Sequence, residues 1–431
     1  MRVERAAHPF RPLLLDAGDA HRSRAIEYDA EGTVCLRHPS LEGAVQISSL
    51  QQFPCILPTF LALDKALSTA SNSPRVEGGQ TLRETFDAEY SSYLAAIERR
   101  SAEAAPGVPW EPDYGTYVFD RRTHDLYLVA PERWHRLALV TSNAKLLTDP
   151  EGKLSAEQIR RRLESAVVGF IGASLGSNVI EGVVREMRPR VAKLADPDYL
   201  EATNLNRLQH GSIRYLSRPR GQRRDPRDSF ETQFVSKAVF VAYENQLVDP
   251  YTDWFVYEEG VLRDNIDQFL LGGGGEPRLD YVVEEADDIR IKLEVRRKAR
   301  EYGIPVFMAT DAGHRSLVQF QDFAANRSAP LGYRVPDEVL SQRLERLMST
   351  GHRSDLFSFV ESLIGPGFAV DEYADWIEQK GEQPTNSIPQ SGSVAQLSGA
   401  LGGKLLAMHR LGHRLSERFI FDARRLELIP G

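Results

Sequence analysis

The chain has 431 residues, of which 42% are hydrophobic and 26% are charged, and its formal net charge is −8. This composition is typical of a globular protein with two domains, and it lacks the basic surplus of most nucleic-acid-binding proteins. No apolar run approaches the roughly 18 residues of a membrane-spanning helix, and no signal peptide is visible. The two cysteines, Cys35 and Cys55, exclude a disulfide framework and a zinc ribbon. We therefore expect a cytoplasmic protein without nucleic-acid or membrane partners.

Residues 1–135 predict a smaller mixed α/β domain. Aromatic and aliphatic residues recur every three to four positions over Leu82–Arg99, which predicts an amphipathic helix. Thr116–Phe119 and Asp125–Val129 alternate like two short strands. No catalytic pattern occurs in this part of the chain, so its role stays open.

Residues 136–431 predict a larger α/β domain in which a first helix is followed by a strand, a glycine turn, a helix and a second strand. The predicted elements are a helix at Leu154–Ala166, a strand at Val167–Ile171, a helix at Ser177–Met187, strands at Val191–Ala195, Tyr281–Val283 and Pro305–Met308, a helix at Ile289–Glu301, a linker over 381–395, a helix over 396–411 and a strand at Arg418–Asp422. This alternation of strands and helices predicts a Rossmann-like doubly wound sheet.

The glycine turn, residues 172–176, permits two interpretations. Small residues between a strand and a helix let a phosphate approach the backbone N–H groups of the helix N-terminus. The same residues also match the nucleophile elbow G-x-S-x-G of an α/β-hydrolase, with Ser174 as the nucleophile. Candidate partners for such a nucleophile are Asp311, His314, His409 and His413.

The nucleotide interpretation makes one further prediction, which the sequence meets. An acidic residue should stand at the end of the second strand, about 20 residues after the glycines, to contact ribose hydroxyls. Asp196 stands there, after the strand Val191–Ala195. It opens the segment Asp-Pro-Asp-Tyr-Leu-Glu-Ala-Thr-Asn-Leu-Asn-Arg, whose polar positions are Asp196, Asp198, Asn204 and Arg207.

This segment resembles the signature D-x-D-x(5)-N-L-x-R of the ThiF/MoeB superfamily of E1-like adenylyltransferases. Lys237, at the start of a predicted helix, matches the lysine of that family, and Asp287 aligns with its metal-facing aspartate. The chain is most similar to the MoeY-like actinobacterial subgroup, which shares the short glycine turn, the VVEE-x-D segment and a late helix matched by Gln390 and Gly399–Ala400. The resemblance covers roughly residues 140–425.

The resemblance implies ATP-dependent adenylation of a carboxylate, followed by transfer of the acyl group to an amine or sulfur nucleophile. The carboxylate would belong to a small molecule or to the C-terminus of a peptide or carrier protein, and the enzyme would be a homodimer. The implied catalytic residues are Arg207, Lys237 and Asp287, with Mg²⁺ held by Asp287 in preference to Asp288. The implied contacts to ATP come from Gly172, Ser174, Gly176, Ser177, Asp196, Asp198, Asn204, Arg207 and Lys237.

The sequence also departs from the family pattern. The glycine turn is one residue shorter, Thr141–Ala144 holds no arginine where many members have one, and no cysteine follows Cys55. These departures keep open a second interpretation, a nucleotide-binding partner subunit with reduced catalysis. Five arginines between Arg218 and Arg227 form either a solvated loop or a cover over an anionic ligand.

Overall fold

The computed structural model describes residues 13–16, 25–28, 34–39, 41, 44–47, 49–51, 56–68, 81–103, 114–121, 123–141, 147–212, 236–366 and 391–430. These residues form two compact units. The N-terminal unit runs up to Glu164 and includes Gln246–Tyr251, and the C-terminal unit contains Ser165–Asn245 and the chain from Thr252 onward. The predicted domain boundary between residues 135 and 136 stays a prediction. By compactness, the chain divides after Glu164.

The N-terminal unit is a mixed α/β structure with two small sheets. Its strands are β1 (Leu13–Asp16), β2 (Ile26–Tyr28), β3 (Val34–Arg37), β4 (Ala44–Gln46), β5 (Ser49–Gln51), β6 (Thr116–Asp120) and β7 (Asp125–Val129). Its helices are α1 (Ile56–Ser68), α2 (Leu82–Glu103), α3 (Glu132–Thr141) and α4 (Ala156–Glu164). One sheet has the order β1-β6-β7-β5, and the other has the order β2-β3-β4.

Aromatic side chains from three helices fill the core of this unit. Phe60 on α1 meets Phe86 on α2 edge to face at 5.6 Å between ring centroids, and Phe86 meets Trp134 on α3 at 5.4 Å. Such edge-to-face pairs add to the free energy gained by burying the rings. The indole N–H of Trp134 donates to Glu89 Oε2 at 2.6 Å, so this buried polar atom is satisfied.

The C-terminal unit is built on one large sheet with helices between its first strands. Its strands are β8 (Val167–Ile171), β9 (Val191–Ala195), β10 (Asp253–Tyr257), β11 (Tyr281–Glu284), β12 (Val306–Ala312), β13 (Arg315–Gln321), β14 (Arg418–Asp422) and β15 (Glu427–Pro430). Its helices are α5 (Gly176–Met187), α6 (Lys237–Val248), α7 (Ile266–Leu271), α8 (Ile289–Tyr302), α9 (Asp337–Thr350), α10 (Arg353–Ile364) and α11 (Gly392–Arg410).

The sheet has the order β10-β9-β8-β11-β12-β13-β14-β15, and its first five strands are parallel. In order of appearance those five are the third, second, first, fourth and fifth strands of the unit, which is the Rossmann order. The winding direction reverses between β8 and β11, and the carboxyl ends of strands at such a switch point form a crevice that binds ligands. The predicted Rossmann-like doubly wound sheet, preceded by a smaller mixed α/β part, is confirmed.

The predicted elements of this unit are present, with some changed boundaries. The last helix begins at Gly392 and not at residue 396, so the end of the predicted linker is helical; residues 381–390 lie outside the described residues. β12 extends to Ala312 and pairs antiparallel with β13, which the sequence pattern did not predict. The longer strand follows from this partner, because β13 supplies hydrogen bonds along its whole length.

Helices α5 and α11 touch through glycines. A Cβ atom on Gly182 or Gly403 would lie well inside 3.0 Å of the other helix backbone, closer than real Cβ atoms come to any neighbour. A Cβ atom on Gly399 would be equally close to the carbonyl of Asn178 on α5. A Cβ atom on Gly392 would collide in the same way with the carbonyl of Asn206, which lies in a turn outside the helices. Since glycine lacks a Cβ atom, the two helices approach closely along α5. In the described part of the chain, no helix is both long and apolar enough to cross a membrane.

Candidate functional site

The turn after β8 is shaped by the strand on the far side of the switch point. Gly172 has φ of 94°, and a Cβ atom there would collide with the carbonyl oxygen of Glu285, just after β11. The N–H of Gly172 donates to the carbonyl of Ala195 at 2.8 Å. Glycine is therefore required for both the backbone angle and the close approach. The turn leads into α5, whose first N–H groups have no partner within the helix and favour anions.

Asp196 is attached to this turn. Its Oδ2 accepts the N–H of Ala173 at 2.6 Å, and its Oδ1 accepts the N–H of Asp198 at 2.8 Å. Burial raises the pKa of Asp196, while the Lys237 ammonium and these two N–H groups act to lower it. The side chain is only 5% exposed. Asp196 thus organises the glycine turn and the following loop, and its predicted contact with ribose stays a prediction.

Lys237 reaches the same place from the start of α6. Its Nζ lies 3.0 Å from Asp198 Oδ2, and its backbone N–H donates to the Asp198 carbonyl at 2.9 Å. Lys237 is buried, whereas 59% of the Asp198 side chain is exposed. The ammonium of Lys237 is thus held on the inner side of this loop by a carboxylate that is itself exposed.

Arg207 carries a partly buried guanidinium. Its Nη1 donates to the carbonyl of Thr203 at 2.9 Å and to Asn206 Oδ1 at 3.1 Å. Its Nε is buried and has no hydrogen-bond partner in the part of the chain that the structure describes. Burial lowers the pKa of Arg207. The negative charges of Asp311, Asp287 and Glu201, in decreasing order of effect, act to raise it. This N–H can donate to an acceptor that reaches it, and leaving it unpaired costs free energy.

Asp287 and Asp288, the two candidates for Mg²⁺, have different surroundings. Asp288 caps α8 by accepting the N–H of Arg290 at 2.8 Å, and it also pairs with the Arg290 side chain. Asp287 is exposed, and its charge acts on the guanidinium of Arg207. No group of three or more His, Cys, Asp and Glu side chains among the described residues is arranged to hold a metal ion.

The remaining signature residues contribute through local structure. Asn204 is buried, and its Oδ1 accepts the N–H of Glu201 at 3.1 Å, which caps the short 3₁₀ helix Ala202–Asn204. Ser177 is fully buried, and its hydroxyl donates to the Ser174 carbonyl at 2.7 Å. Their contacts with ATP stay a prediction, which the place of the Ser177 N–H in the first turn of α5 suits.

Ser174 lacks the surroundings of an elbow nucleophile. Its Oγ is buried and finds no hydrogen-bond partner within the described ranges, so no described histidine is hydrogen-bonded to it. Candidate His409 instead contacts the hydroxyl of Tyr281 at 2.9 Å through Nδ1. In a nucleophile elbow the strained backbone conformation lies at the serine, whereas the positive φ of this turn lies at Gly172. Because a serine nucleophile needs a base within hydrogen-bond reach, the arrangement favours a phosphate-binding turn over a hydrolase.

Sequence reasoning missed several side chains that the fold brings to this crevice. Glu285 lies beneath the glycine turn, accepts the N–H of Ala309 and has its pKa raised well above the ordinary value by burial. Asp311 is buried on β12, and its negative charge acts to raise the pKa of both Glu285 and Arg207. The Glu-Glu run at the end of β11 was the available signal for Glu285, whereas Asp311 was named from the sequence only as a possible partner of Ser174 in the hydrolase interpretation.

Asn178 was also missed, and it links the helix after the turn to the loop of Arg207. Its Nδ2 donates to the Arg207 carbonyl at 2.7 Å, and its Oδ1 accepts from Gln209 Nε2 at 2.7 Å. The N–H of Gln209 donates to Ser177 Oγ at 3.1 Å. The predicted arginine-rich segment Arg218–Arg227 and Gln390 lie outside the described residues.

Comparison with known proteins gave distant similarities. No model of a known protein family matches the chain. A segment of 259 residues is 26% identical to the uncharacterised protein MT1398 of Mycobacterium tuberculosis (strain CDC 1551 / Oshkosh) and covers 60% of this chain and 31% of that protein. The match thus spans under a third of the relative's own length.

Solved structures similar to this chain include PaaA, with a TM-score of 0.46, 12% identity and coverage of 83% of this chain and 98% of that one. E. coli MccB with ATP gives a TM-score of 0.39, 15% identity and coverage of 64% and 66%. E. coli TcdA, a tRNA N6-threonylcarbamoyladenosine dehydratase, gives a TM-score of 0.41, 15% identity and coverage of 66% and 97%. None of these identities is high enough to carry an activity from one protein to another.

Proposed function

We propose that this chain is an adenylyltransferase of the ThiF/MoeB type, which binds ATP in the crevice at the switch point and adenylates a carboxylate. The observation that carries the proposal is the convergence of the signature at one edge of the sheet. The Asp196 carboxylate holds the glycine turn through the N–H of Ala173. Lys237, at the start of α6, pairs with Asp198, and Arg207 stands in the loop after Asp198, where its N–H donates to the Asn204 carbonyl.

ATP would lie with its phosphates over residues 172–176 and the N-terminus of α5. Backbone N–H groups and the helix dipole favour phosphate there, and Ser174 Oγ, which has no partner among the described residues, offers one more donor. Arg207 and Lys237 would offset phosphate charge from the loop side, the arginine through its fork and the lysine by leaving Asp198. Asp196 keeps acceptor capacity for ribose, since each carboxylate oxygen can accept more than one hydrogen bond.

In the reaction, an oxygen of the substrate carboxylate forms a bond to the α-phosphorus, and the bond from that phosphorus to the bridging oxygen of pyrophosphate breaks. The products are an acyl-adenylate and pyrophosphate, and no proton or electron is consumed. The protein contributes orientation and stabilisation of the charge that develops on the phosphate oxygens. Arg207 suits this role because its Nε is already desolvated and lacks an acceptor in the described structure.

Mg²⁺ fits this site on the side of Asp287. Both carboxylates are exposed, but Asp288 is used as a helix cap and Asp287 is not. One carboxylate is sufficient, because Mg²⁺ usually takes its other ligands from phosphate oxygens and water. Bound there, the ion would neutralise phosphate charge, and the role of Asp287 is to hold it.

The acceptor of the acyl group and the assembly of the protein are also proposals. The chain has no cysteine after Cys55, so the acyl group would pass to an external amine or sulfur nucleophile. The carboxylate is that of a small molecule or of a peptide or carrier-protein C-terminus, and a homodimer is expected for this type of enzyme.

Two measurements test the proposal. Titration calorimetry with ATP and MgCl₂ should show saturable binding, and isotope exchange between pyrophosphate and ATP should depend on an added carboxylate, screened from amino acids to peptide C-termini. Absence of ATP binding would refute the proposal. Binding without exchange for any carboxylate would instead support the second candidate, a nucleotide-binding partner with reduced catalysis, which the short glycine turn and the lack of an arginine in Thr141–Ala144 favour.

A further inference from the structure

A row of contacts joins helix α5 to the loop that carries Arg207. Ser177 Oγ accepts the N–H of Gln209 at 3.1 Å, and Asn178 Nδ2 donates to the Arg207 carbonyl at 2.7 Å. One turn further along α5, Glu181 Oε2 lies 3.5 Å from His210 Nε2. The loop is therefore attached to the same helix whose N-terminus forms the proposed phosphate cradle.

Asn178 is the central contact of this row. Its side chain also donates to the Leu175 carbonyl at 3.2 Å and accepts from Gln209 Nε2 at 2.7 Å, so both its oxygen and its nitrogen are used. The residue is 3% exposed, and its backbone is covered from behind by Gly399 of α11. A buried side chain with three hydrogen bonds holds its partners in a defined place, because moving it would break these bonds inside the protein.

We propose that Asn178 is a positioning residue that sets the place of the Arg207 guanidinium relative to the glycine turn. It holds the carbonyl of Arg207 on the first turn of α5. The backbone of Arg207 is therefore fixed relative to the glycine turn and the N-terminus of α5, where the ATP phosphates would bind. Among the residues that the structure describes, the guanidinium has two hydrogen-bond acceptors, the Thr203 carbonyl and Asn206 Oδ1, both in its own loop. The inference rests on the proposed function for its consequence in ATP binding, but the attachment of the loop is independent of any ligand.

The attachment is tested on the full chain without ATP by hydrogen exchange of the backbone amides of residues 205–211. In Asn178→Ala, these amides should exchange about tenfold faster than in the wild-type protein, the scale of one net hydrogen bond. Gln209→Ala removes one of the same bonds from the loop side and should act in the same direction. The matched control is Asn245→Ala, which removes a buried asparagine of α6 bonded to the Val241 carbonyl at 2.8 Å. Unchanged exchange in both Asn178→Ala and Gln209→Ala would overturn the proposal, regardless of the result for ATP binding.

The positioning role is tested by a double-mutant cycle on ATP affinity. Asn178→Ala should weaken ATP binding about tenfold in the presence of Arg207, and by less than about twofold in the Arg207→Ala background, because coupled residues are non-additive. Equal losses in both backgrounds would show that Asn178 acts only on stability and would refute positioning. If the wild-type protein binds no ATP, the proposed function fails, while the exchange experiment still decides whether Asn178 holds the loop.

Discussion

Replacing Arg207 by alanine separates a catalytic role of this side chain from a structural one. Its Nε is buried without an acceptor in the described structure, and an unsatisfied buried donor costs about 1–3 kcal/mol. Arg207→Ala removes that cost together with the two hydrogen bonds from Nη1. We therefore expect the melting temperature of the ligand-free protein to stay the same or to rise slightly.

The rate of adenylation in Arg207→Ala, in contrast, should fall. Loss of one preorganised donor to a developing phosphate charge lowers kcat about 10²-fold, equivalent to about 2.7 kcal/mol. The assay is carboxylate-dependent pyrophosphate exchange, run on Arg207→Ala, on Arg207→Lys, which keeps the charge but loses the fork, and on the exposed control Arg297→Ala. A rise in KM at unchanged kcat would refute transition-state stabilisation, since it indicates uniform binding. A large fall in melting temperature would refute the structural reasoning.

Three further outcomes are expected. Asp196→Asn places an amide where two N–H groups now meet carboxylate oxygens, so it should lower stability by about 1–3 kcal/mol in thermal unfolding and weaken ATP binding; unchanged stability would contradict the described turn. Ser174→Ala should keep most of its ATP binding. A fluorophosphonate probe should leave the wild-type protein unlabelled, and labelling of Ser174 would instead support the hydrolase interpretation. Hydrogen bonding to Glu181 raises the pKa of His210, so this contact stabilises fully below the ordinary histidine pKa of about 6.5 and is lost as pH rises through the raised value. The stability difference between wild type and His210→Asn should thus shrink from pH 6 to pH 9, and a constant difference would exclude the contact.

The sequence alone determined the parts of the site that depend on short stretches of chain. The unit from β8 through the glycine turn to β9 could be predicted because its pattern is local, with apolar strands around a run of small residues. Asp196 followed from its place at the end of a predicted strand. Lys237 and Asp287 needed the family resemblance, since an isolated lysine or aspartate carries no local pattern.

Other features required the sheet order, which no local pattern contains. The collision between a Cβ on Gly172 and the Glu285 carbonyl exists only because β11 pairs with β8. The same pairing and that of β12 beside it set Glu285 and Asp311 in the crevice, far from the glycine turn in sequence.

The neighbouring aspartates illustrate the limit most directly. Asp287 and Asp288 are adjacent in sequence and both exposed, and only the start of α8 decides that Asp288 is used as a helix cap while Asp287 is not. The role of Asn178 likewise depends on the Arg207 loop folding back onto α5. These assignments need tertiary structure because hydrogen bonds and desolvation act between atoms that are close in space, and the sequence orders residues only along the chain.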